Sequence, residues 1–344
     1  MITVKKEGII LTKTDLGFED EGVLNPAVIK EGNTVHIFYR AVRTGNFSSI
    51  GYCVLEGPLT IKNRHNTPLL VPHFEYEIQG VEDPRIVKIN DLHYLTYTAY
   101  DGINALGALA TSYDLIHFER NGLVVPQIPY DRFKFLAECS GEVNPKYFRH
   151  MRHFKPEENV FLWDKNVIFF PRRINGKLFF LHRIRPGIQI VGVYELSDLT
   201  DLFWEDYFLN MHHHIVMDPF HEEFEASYIG GGCPPIETEQ GWLLIYHGVR
   251  DTAEGYIYSA CAALLDLNNP QKEIARLPYA LFEPEYEWEV HGVVDNVVFP
   301  TGTALFDDTL YIYYGAADKY IGCASVSLSE LINELMLNKI PNEK

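Results

Sequence analysis

The sequence predicts an all-β protein, a five-bladed β-propeller with a short C-terminal helix. Five segments share one pattern, an aromatic strand that ends in a polar residue, and each follows a proline-marked strand at a distance of 11 to 14 residues. The copies recur every 58 to 85 residues, with further strand-like runs between them. This pattern favours four-stranded blades arranged radially. A doubly wound α/β fold needs amphipathic helices between its strands, and most of the intervening sequence lacks them.

The strand pairs follow one another along the chain in the same order each time. The first strands surround Pro26, Pro84, Pro171, Pro234 and Pro300. The second strands are TVHIFYRAV (34–42), LHYLTYTAYDG (92–102), KLFFLHRIR (177–185), GWLLIYHGVRD (241–251) and TLYIYYGAADK (309–319). A strand proline donates no hydrogen bond and is tolerated only in a short or edge strand. We therefore expect the first strands beside the central axis, with the polar residues next to each proline facing a solvent-filled channel.

The C-terminal segment SLSELINELMLNKI has serine start signals and apolar residues at helical spacing, which predicts a helix over about 327–339. We expect this helix to pack against the propeller, with a role in homo-oligomerisation as the alternative. The chain is expected to form one catalytic domain over residues 1–344.

Composition limits the partners. The 344 residues are 47% hydrophobic and can bury a large core, and the net charge of −18 argues against a nucleic acid or an anionic membrane. The five cysteines are scattered without metal-site spacing, which favours reduced thiols in a reducing compartment. The N-terminus has no apolar signal region, and no apolar run approaches the length of a membrane span. We expect a soluble cytoplasmic protein.

The segment GVEDPRIV places Glu82, Asp83 and Arg85 inside an apolar strand. Unpaired buried charges cost several kcal/mol each, so we expect these side chains to line a central pocket. Polar residues at the equivalent end of the other repeats converge on the same place: Arg40, Arg43, Tyr100, Asp101, Arg183, Arg185, His247 and Asp318.

This set combines carboxylates suited to sugar hydroxyls with cations suited to an anion, namely Lys165, Arg183 and His247. A hydrolase that activates water needs a carboxylate base opposite the acid. A phosphorolytic enzyme needs cations there, because phosphate is itself the nucleophile. The cations favour phosphorolysis.

Four blocks in order, GVEDPRI, FPRRINGKLFFLHR, GGGCPPIETEQGWLLIYHGV and NVVFPTG, resemble glycoside hydrolase family 130, the β-mannoside phosphorylases and β-mannosidases, over nearly the whole chain. The resemblance implies a five-bladed propeller and a glycosyltransferase-type reaction (EC 2.4.1.-). In that reaction inorganic phosphate cleaves a β-linked mannoside with inversion to give α-mannose 1-phosphate. It implies no metal and no organic cofactor.

Carried over by motif, Asp83 resembles the family's proton donor, which passes its proton through the mannose 3-hydroxyl. The phosphate-binding positions read Lys165, Arg183, Tyr228 and His247. Tyr228 departs from the family's lysine or arginine, and one charge-assisted hydrogen bond is worth about 1.5 to 3 kcal/mol. The departure argues against the mannosyl-glucose and β-1,4-mannooligosaccharide branches and favours a β-1,2-mannoside, with the linkage and acceptor sugar left open.

The expected substrate-binding residues combine the resemblance with position in the repeat: Asn25, Arg40, Arg43, Glu82, Arg85, Tyr100, Asp101, Glu225, Asp295 and Asp318. Interblade salt bridges are the alternative role for several of them. Glu225 is also the best candidate base if water is the nucleophile.

Two other functions stay open, an inverting β-mannosidase (EC 3.2.1.-) on the same fold and a non-catalytic carbohydrate-binding propeller. The three histidines of MHHHIVM are not expected to bind a metal, because consecutive strand residues point to alternate faces.

Overall fold

The computed structural model describes residues 2–141, 143–148, 160–221 and 223–341. The segment RHMRHFKPEEN (149–159), whose composition predicts a long polar loop, lies outside the described residues. Over the described residues the fold is mostly β, with 21 strands and four α-helices. The strands are β1 (Lys5–Leu11), β2 (Gly22–Glu31), β3 (Thr34–Arg43), β4 (Phe47–Glu56), β5 (Thr60–Arg64), β6 (Gly80–Ile89), β7 (Leu92–Tyr100), β8 (Ala105–Ser112), β9 (Glu119–Leu123), β10 (Lys165–Phe169), β11 (Leu178–Arg183), β12 (Ile188–Val193), β13 (Ile215–Met217), β14 (Tyr228–Gly231), β15 (Ile236–Thr238), β16 (Gly241–Thr252), β17 (Gly255–Leu265), β18 (Glu273–Arg276), β19 (Val298–Phe306), β20 (Thr309–Ala316) and β21 (Tyr320–Ser327). The helices are α1 (Tyr130–Cys139), α2 (Asp201–Leu209), α3 (Glu287–Val290) and α4 (Leu328–Leu337).

The strands form five antiparallel units of four strands. Units 1, 2 and 3 are β2–β5, β6–β9 and β10–β13, and unit 4 is β14, β16, β17 and β18 with β15 also paired to β16. Unit 5 consists of β19, β20 and β21, and its outer strand is the N-terminal β1, with Lys5 opposite Ser325. A single bridge between Ser48 and Gly80 also joins units 1 and 2. No sheet closes on itself within the described residues.

Five apolar clusters hold the units together, and each lies between two consecutive units. They join units 1 and 2, 2 and 3, 3 and 4, and 4 and 5. The fifth joins unit 5 back to unit 1, where Tyr313 and Ile321 share a cluster with Val23 and Ile37. Every unit therefore buries both of its faces, which accounts for the long apolar runs in its strands.

The aromatic or histidine residue that marks each repeat binds a fully buried carboxylate. The pairs are Tyr39 with Glu19 (2.8 Å), Tyr97 with Glu77, His182 with Asp164 (2.8 Å), Tyr246 with Glu225 (2.9 Å) and Tyr314 with Glu289 (2.6 Å). In four pairs a cation completes the group, supplied by Arg64, Arg120, Arg276 and Lys6. The repeat seen in the sequence therefore corresponds to a buried, hydrogen-bonded carboxylate that anchors the loop entering each unit and is paired with a cation in four of the five units.

The innermost strands are β2, β6, β10, β14 and β19. Pro26, Pro84 and Pro300 lie within three of them, whereas Pro171 and Pro234 lie beyond the ends of β10 and β14, where a missing N–H costs no ladder hydrogen bond. β2 contacts β6 and β19, β6 contacts β10, and β10 contacts β14. Hydrogen bonds also cross between them, from Thr301 Oγ1 to the Pro26 carbonyl (2.8 Å) and from Arg85 Nε to the Gly232 carbonyl (2.5 Å). This inner edge is where the predicted polar residues meet.

The C-terminal helix α4 is present as predicted, and Ser327 caps it by accepting a hydrogen bond from the Glu330 N–H. Its face packs into the cluster of units 4 and 5 through Leu331, Ile332 and Leu335. Helices α1 and α2 were not predicted, and they pack on each other beside units 2 and 3. Among the described residues no helix is both long and apolar enough to span a bilayer.

Candidate active site

A cavity of about 160 Å³ opens at the inner edges of the units. Its lining is Asn25, Arg40, Asp83, Lys165, Asn166, Arg183, Arg185, Tyr228, Tyr258, Val294, Val297, Phe299 and Asp318. Seven of the residues predicted for the site are among them, and they come from all five units. A second cavity of about 180 Å³ shares Arg40 and Asp318 with the first.

Bulges in the first strands direct polar side chains into the cavity. Asn25, Asp83 and Asn166 have φ of 49°, 48° and 54°. At each of them the pairing with the second strand shifts in register. Asn and Asp are the residues that tolerate this left-handed conformation best, and a bulge reorients the side chain that it carries. Asn25 and Asp83 each precede a proline, whereas Asn166 does not, so the bulge itself is the shared feature. The bulge explains how a buried strand presents the Asp83 carboxylate to the cavity.

One half of the cavity carries the carboxylates. Asp83 accepts a hydrogen bond from Asn25 Nδ2 at 2.7 Å, and Arg40 Nη1 lies 3.6 Å from the same oxygen. Arg40 also pairs with Glu82 at 2.7 Å and donates from Nε to Ser48 at 2.8 Å. Burial raises the pKa of Asp83, but Arg40, Lys165 and the Asn25 bond outweigh burial and bring that pKa below its usual value. Asp83 is therefore ionised beside these groups.

Asp318 lines the same cavity, but its pKa is shifted in the opposite direction from that of Asp83. Burial raises the pKa of Asp318 to about 6, and the charges of Asp83 and Glu82 add to the rise while Arg40 opposes it. Its backbone is also left-handed, with φ of 50°. Two carboxyl groups of different proton affinity thus share one guanidinium in the same cavity.

The other half of the cavity carries cations. Lys165 and Arg183 form no ion pair with any carboxylate of the described residues, and Arg183 Nε is buried without a hydrogen-bond partner. Burial lowers the pKa of Lys165, and burial together with the charge of Arg185 lowers the pKa of Arg183 to about 10. With a pKa of about 10, Arg183 remains positive at neutral pH. In a chain of net charge −18, such a local group of basic side chains is suited to holding an anion.

Tyr228 closes the cation half together with two neighbours. The Arg185 guanidinium lies 3.9 Å from the centre of the Tyr228 ring, and its Nη2 donates to the Tyr228 hydroxyl at 2.9 Å. The Tyr228 hydroxyl also forms a very short hydrogen bond with the Tyr258 hydroxyl. Tyr228 carries no charge itself, but the Arg185 guanidinium that packs on its ring places a positive charge next to it.

His247 lies behind the wall of the cavity and is absent from its lining. A Cβ on Gly230 would come within 2.5 Å of His247 and 2.8 Å of Arg183, so only glycine allows the imidazole to reach the back of the cation cluster. Burial, with the positive charges of Arg183 and Arg85, holds the pKa of His247 well below its usual value. Neither ring nitrogen has a hydrogen-bond partner among the described residues, so a neutral N–H is left to donate.

Two predicted site residues have structural partners. Arg85 points below the cavity and donates to the Asp83, Pro84 and Gly232 carbonyls, so it holds the strand that carries Asp83. Glu225 does not line the cavity. It accepts from Tyr246 at 2.9 Å and from Arg276 at 2.8 Å, which makes it the buried carboxylate of unit 4.

Glu82 also lies outside the lining, where it is buried and pairs with Arg40 at 2.7 Å. Four further predicted residues lie outside the lining as well. Arg43 stacks on Phe47 at the exposed end of β3, at 4.6 Å. Tyr100 donates to the Gly102 carbonyl, and Asp101 accepts two backbone N–H bonds in the same turn. Asp295 is exposed and accepts from the Gly292 N–H at 3.0 Å. Each of these residues stabilises a strand end or a turn near the rim.

Several lining residues were not among the predicted site residues. Asn166 occupies the same kind of bulge as Asn25 and Asp83, and its place directly after Lys165 in a first strand was a usable signal. Arg185 was grouped with the converging polar residues but was not assigned to the phosphate. Tyr258 and Phe299 carry no motif, because contact with the cavity depends on how units 4 and 5 pack.

The described residues contain no cluster of His, Cys, Asp and Glu placed to hold a metal ion. The three consecutive histidines form a short 3₁₀ turn, and His214 stacks on Tyr207 at 4.0 Å. The cavity places two carboxyl groups, Asp83 and Asp318, close to several cations, an arrangement suited to transferring a group from a neutral donor to an oxyanion.

The comparisons with known proteins agree with this chemistry. A family model described as beta-1,4-mannooligosaccharide phosphorylase, glycoside hydrolase family 130, matches residues 13–337. The chain is 32% identical to the 1,2-beta-oligomannan phosphorylase of Thermoanaerobacter sp. (strain X514), an alignment that covers 96% of this chain and 99% of that protein. It is 34% identical to the beta-1,2-mannobiose phosphorylase of the same organism, over 90% of this chain and 91% of that protein.

A solved structure shares the fold. The beta-1,2-mannobiose phosphorylase of Listeria innocua in complex with beta-1,2-mannobiose matches with a TM-score of 0.75 at 24% identity, covering 98% of this chain and 100% of the other. The family model and the two relatives confirm the resemblance seen in the four sequence blocks over nearly the whole chain. This protein belongs to glycoside hydrolase family 130.

Proposed function

We propose that the protein is an inverting phosphorylase that cleaves a β-linked mannoside with inorganic phosphate and releases α-mannose 1-phosphate, a glycosyltransferase-type reaction. The observation that supports it most strongly is the division of one cavity into two halves. Lys165 and Arg183 form no ion pair with a carboxylate of the described residues, and they line the same cavity as Asp83, whose pKa the charge of Lys165 lowers. A phosphate bound by the cations would face the sugar from the side opposite the leaving group, as inversion requires.

The proposed division of roles follows the same geometry. Asp318, Arg40 and Asn25 hold the hydroxyls of the mannose, and the second cavity beside Arg40 and Asp318 accommodates the leaving sugar. Lys165 and Arg183 bind the phosphate, and the neutral His247 donates to it from behind Gly230. No metal or organic cofactor takes part in this scheme.

The proton follows from the charges. The cations keep Asp83 ionised, and a bound phosphate would offset the charge of Lys165 and so favour the protonated form of Asp83. Dihydrogen phosphate then passes one proton to Asp83, and the resulting hydrogen phosphate forms the new bond to the anomeric carbon while the glycosidic bond breaks. The departing oxygen takes that proton from Asp83 through the mannose 3-hydroxyl, which leaves Asp83 ionised again and mannose 1-phosphate as its monoanion. Asp83 is therefore a competent acid only when the nucleophile is present.

Hydrolysis is the weaker candidate because a water-activating base is not in place. The carboxylates that line the cavity, Asp83 and Asp318, both lie in the half that holds the sugar, and the cation half contains none among the described residues. Glu225, the sequence candidate for such a base, is committed to Arg276 and Tyr246. A β-1,2-mannoside is the proposed substrate because both Thermoanaerobacter relatives are named for this linkage.

We also propose that the five units form a five-bladed propeller and that the chain is one catalytic domain. The support is the ring of five apolar clusters, the last of which joins unit 5 to unit 1, together with the pairing of β1 to β21. A cytoplasmic location is proposed from the five free cysteines, which suit a reducing compartment. Light scattering of the purified protein, which gives the molar mass in solution, tests for a homo-oligomer.

The test is to incubate the purified protein with β-1,2-mannobiose and with β-1,4-mannobiose, each with and without phosphate, and to quantify mannose 1-phosphate and free mannose. The proposal predicts mannose 1-phosphate from the β-1,2 disaccharide and no cleavage without phosphate. Release of two mannose molecules at a rate independent of phosphate would instead identify a β-mannosidase. Binding of either sugar without any cleavage would identify a carbohydrate-binding protein.

A further inference from the structure

The strongest feature outside the assigned roles is the contact between Arg185 and Tyr228. The guanidinium carbon lies 3.9 Å from the centre of the ring, and Nη2 donates to the hydroxyl at 2.9 Å, so the tyrosine holds the arginine at two points. Both residues line the cation half of the cavity. Arg185 forms no ion pair with a carboxylate of the described residues, and its Nε is buried without a hydrogen-bond partner.

We propose that Arg185 is a phosphate ligand and that Tyr228 is a positioning residue, which fixes the Arg185 guanidinium towards the phosphate. This inference rests on the proposed phosphorolysis. It makes Arg185 the second arginine of the phosphate site. Arg183 supplies the first, and the two are separated by one residue at the end of β11.

The backbone places both arginines on the same side. Side chains alternate along an extended segment, and the residue between them, Ile184, is 2% exposed in the apolar cluster of units 2 and 3. Arg183 and Arg185 therefore both face away from that core and into the cavity. Two guanidinium groups so close repel each other, and their mutual repulsion is relieved when an anion binds between them.

The hydrogen bonds around Tyr228 fit a positioning role. Its hydroxyl accepts from Arg185 and is joined to the Tyr258 hydroxyl, which comes from β17. The ring of Tyr228 is fully buried and sits 5.5 Å from the Arg183 guanidinium as well. An arginine that is held before the ligand arrives loses less freedom on binding, so the tyrosine raises phosphate affinity without carrying charge.

The test compares Arg185→Gln, Arg185→Lys, Tyr228→Phe and the double variant Arg185→Gln/Tyr228→Phe. The matched control is Arg172→Gln, which removes an arginine that is stacked on Trp242 at 4.8 Å and paired with Glu237 outside the cavity. Each protein is assayed for KM of phosphate, KM of the mannoside and kcat. Binding of inorganic phosphate alone is measured by calorimetry, and circular dichroism verifies the fold.

We expect Arg185→Gln to weaken phosphate binding and raise its KM by about 10- to 100-fold, as for one lost charge-assisted contact, with the mannoside KM unchanged. Arg185→Lys recovers part of that loss, because the charge remains but the planar fork is gone. Tyr228→Phe raises the phosphate KM by about 3- to 10-fold, and in the Arg185→Gln background it adds nothing further. The Arg172→Gln control keeps wild-type constants.

Three results would overturn the inference. If folded Arg185→Gln binds phosphate as the wild type does, Arg185 is not a ligand. If the effects of Tyr228→Phe and Arg185→Gln multiply, Tyr228 contacts phosphate itself and does not act through Arg185. If the wild type does not bind phosphate at all, the proposed function fails together with this inference, whereas a phosphate-dependent wild type with indifferent variants refutes the inference alone.

Discussion

Replacing Glu225 by glutamine separates a structural role from a catalytic one. Glu225 is fully buried and accepts from Arg276 at 2.8 Å, from Tyr246 at 2.9 Å, and from the backbone N–H groups of Phe220 and His221 at 2.9 and 3.0 Å. The structure therefore predicts that Glu225→Gln destabilises the fold and leaves the rate per folded molecule unchanged.

The magnitude follows from the partners that remain. Removing one member of a buried ion pair costs about 3 to 5 kcal/mol. Arg276 keeps its contacts to Glu273 at 2.5 and 2.8 Å, so the loss falls at the low end, about 3 kcal/mol. An unfolding entropy of about 2.1 cal/mol/K per residue gives about 0.7 kcal/mol/K for 344 residues, and Tm should fall by about 4 °C.

The assay is thermal unfolding by circular dichroism together with initial rates at 25 °C under saturating phosphate and mannobiose. Glu77→Gln is the matched control, because Glu77 is the equivalent buried carboxylate of unit 2 and pairs with Arg120 at 3.1 Å. Both variants should lose similar stability and keep their kcat. The reasoning is refuted if Glu225→Gln loses more than about 100-fold in kcat with an unchanged Tm while Glu77→Gln stays active, since Glu225 would then act as a catalytic base.

Three other predictions follow from the site. Asp83→Asn should lower kcat by about 10²- to 10⁴-fold, as for loss of a general acid, which steady-state kinetics test. The same change should tighten phosphate binding, measured by calorimetry, because it removes a negative charge near Lys165. Asp318 has a pKa of about 6 when folded against about 3.9 when unfolded, so its stabilising contribution is complete below about pH 4 and is lost as the pH rises through 6. Asp318→Asn should therefore raise Tm at pH 8 and leave it unchanged at pH 4, and an equal shift at both values would contradict the assignment. Gly230→Ala should raise the phosphate KM by about 10-fold or more by displacing His247 and Arg183, and an unchanged KM in a folded variant would show that neither contacts phosphate.

The strands could be predicted because their pattern is local, whereas the ion pairs behind them could not. Each repeated tyrosine or histidine marks the second strand of its unit. Its carboxylate partner, however, lies 18 to 25 residues upstream, in loops of different length. Glu225 therefore looked like a candidate base in the sequence. Only the placement of Arg276 from a later strand shows that its charge is already paired.

The helices and part of the site were missed for related reasons. In α1 the buried residues Phe133, Leu136 and Ala137 follow helical spacing. The helix is only 10 residues long and lies between strand-like runs, so its pattern is hard to tell from theirs. The alternation through Ile184 would have placed Arg185 beside Arg183 in the anion site, a step available from sequence. Tyr258 and Phe299 could not be found in this way, because their contact with the cavity depends on the packing of two units.

The most direct test of the whole account is ³¹P nuclear magnetic resonance of the wild-type protein acting on β-1,2-mannobiose in phosphate buffer, followed from the first turnovers. The account predicts one new signal, that of α-mannose 1-phosphate, growing in step with free mannose at one molecule of each per disaccharide cleaved. A first product with the β configuration, or mannose released with no new phosphorus signal, would contradict it.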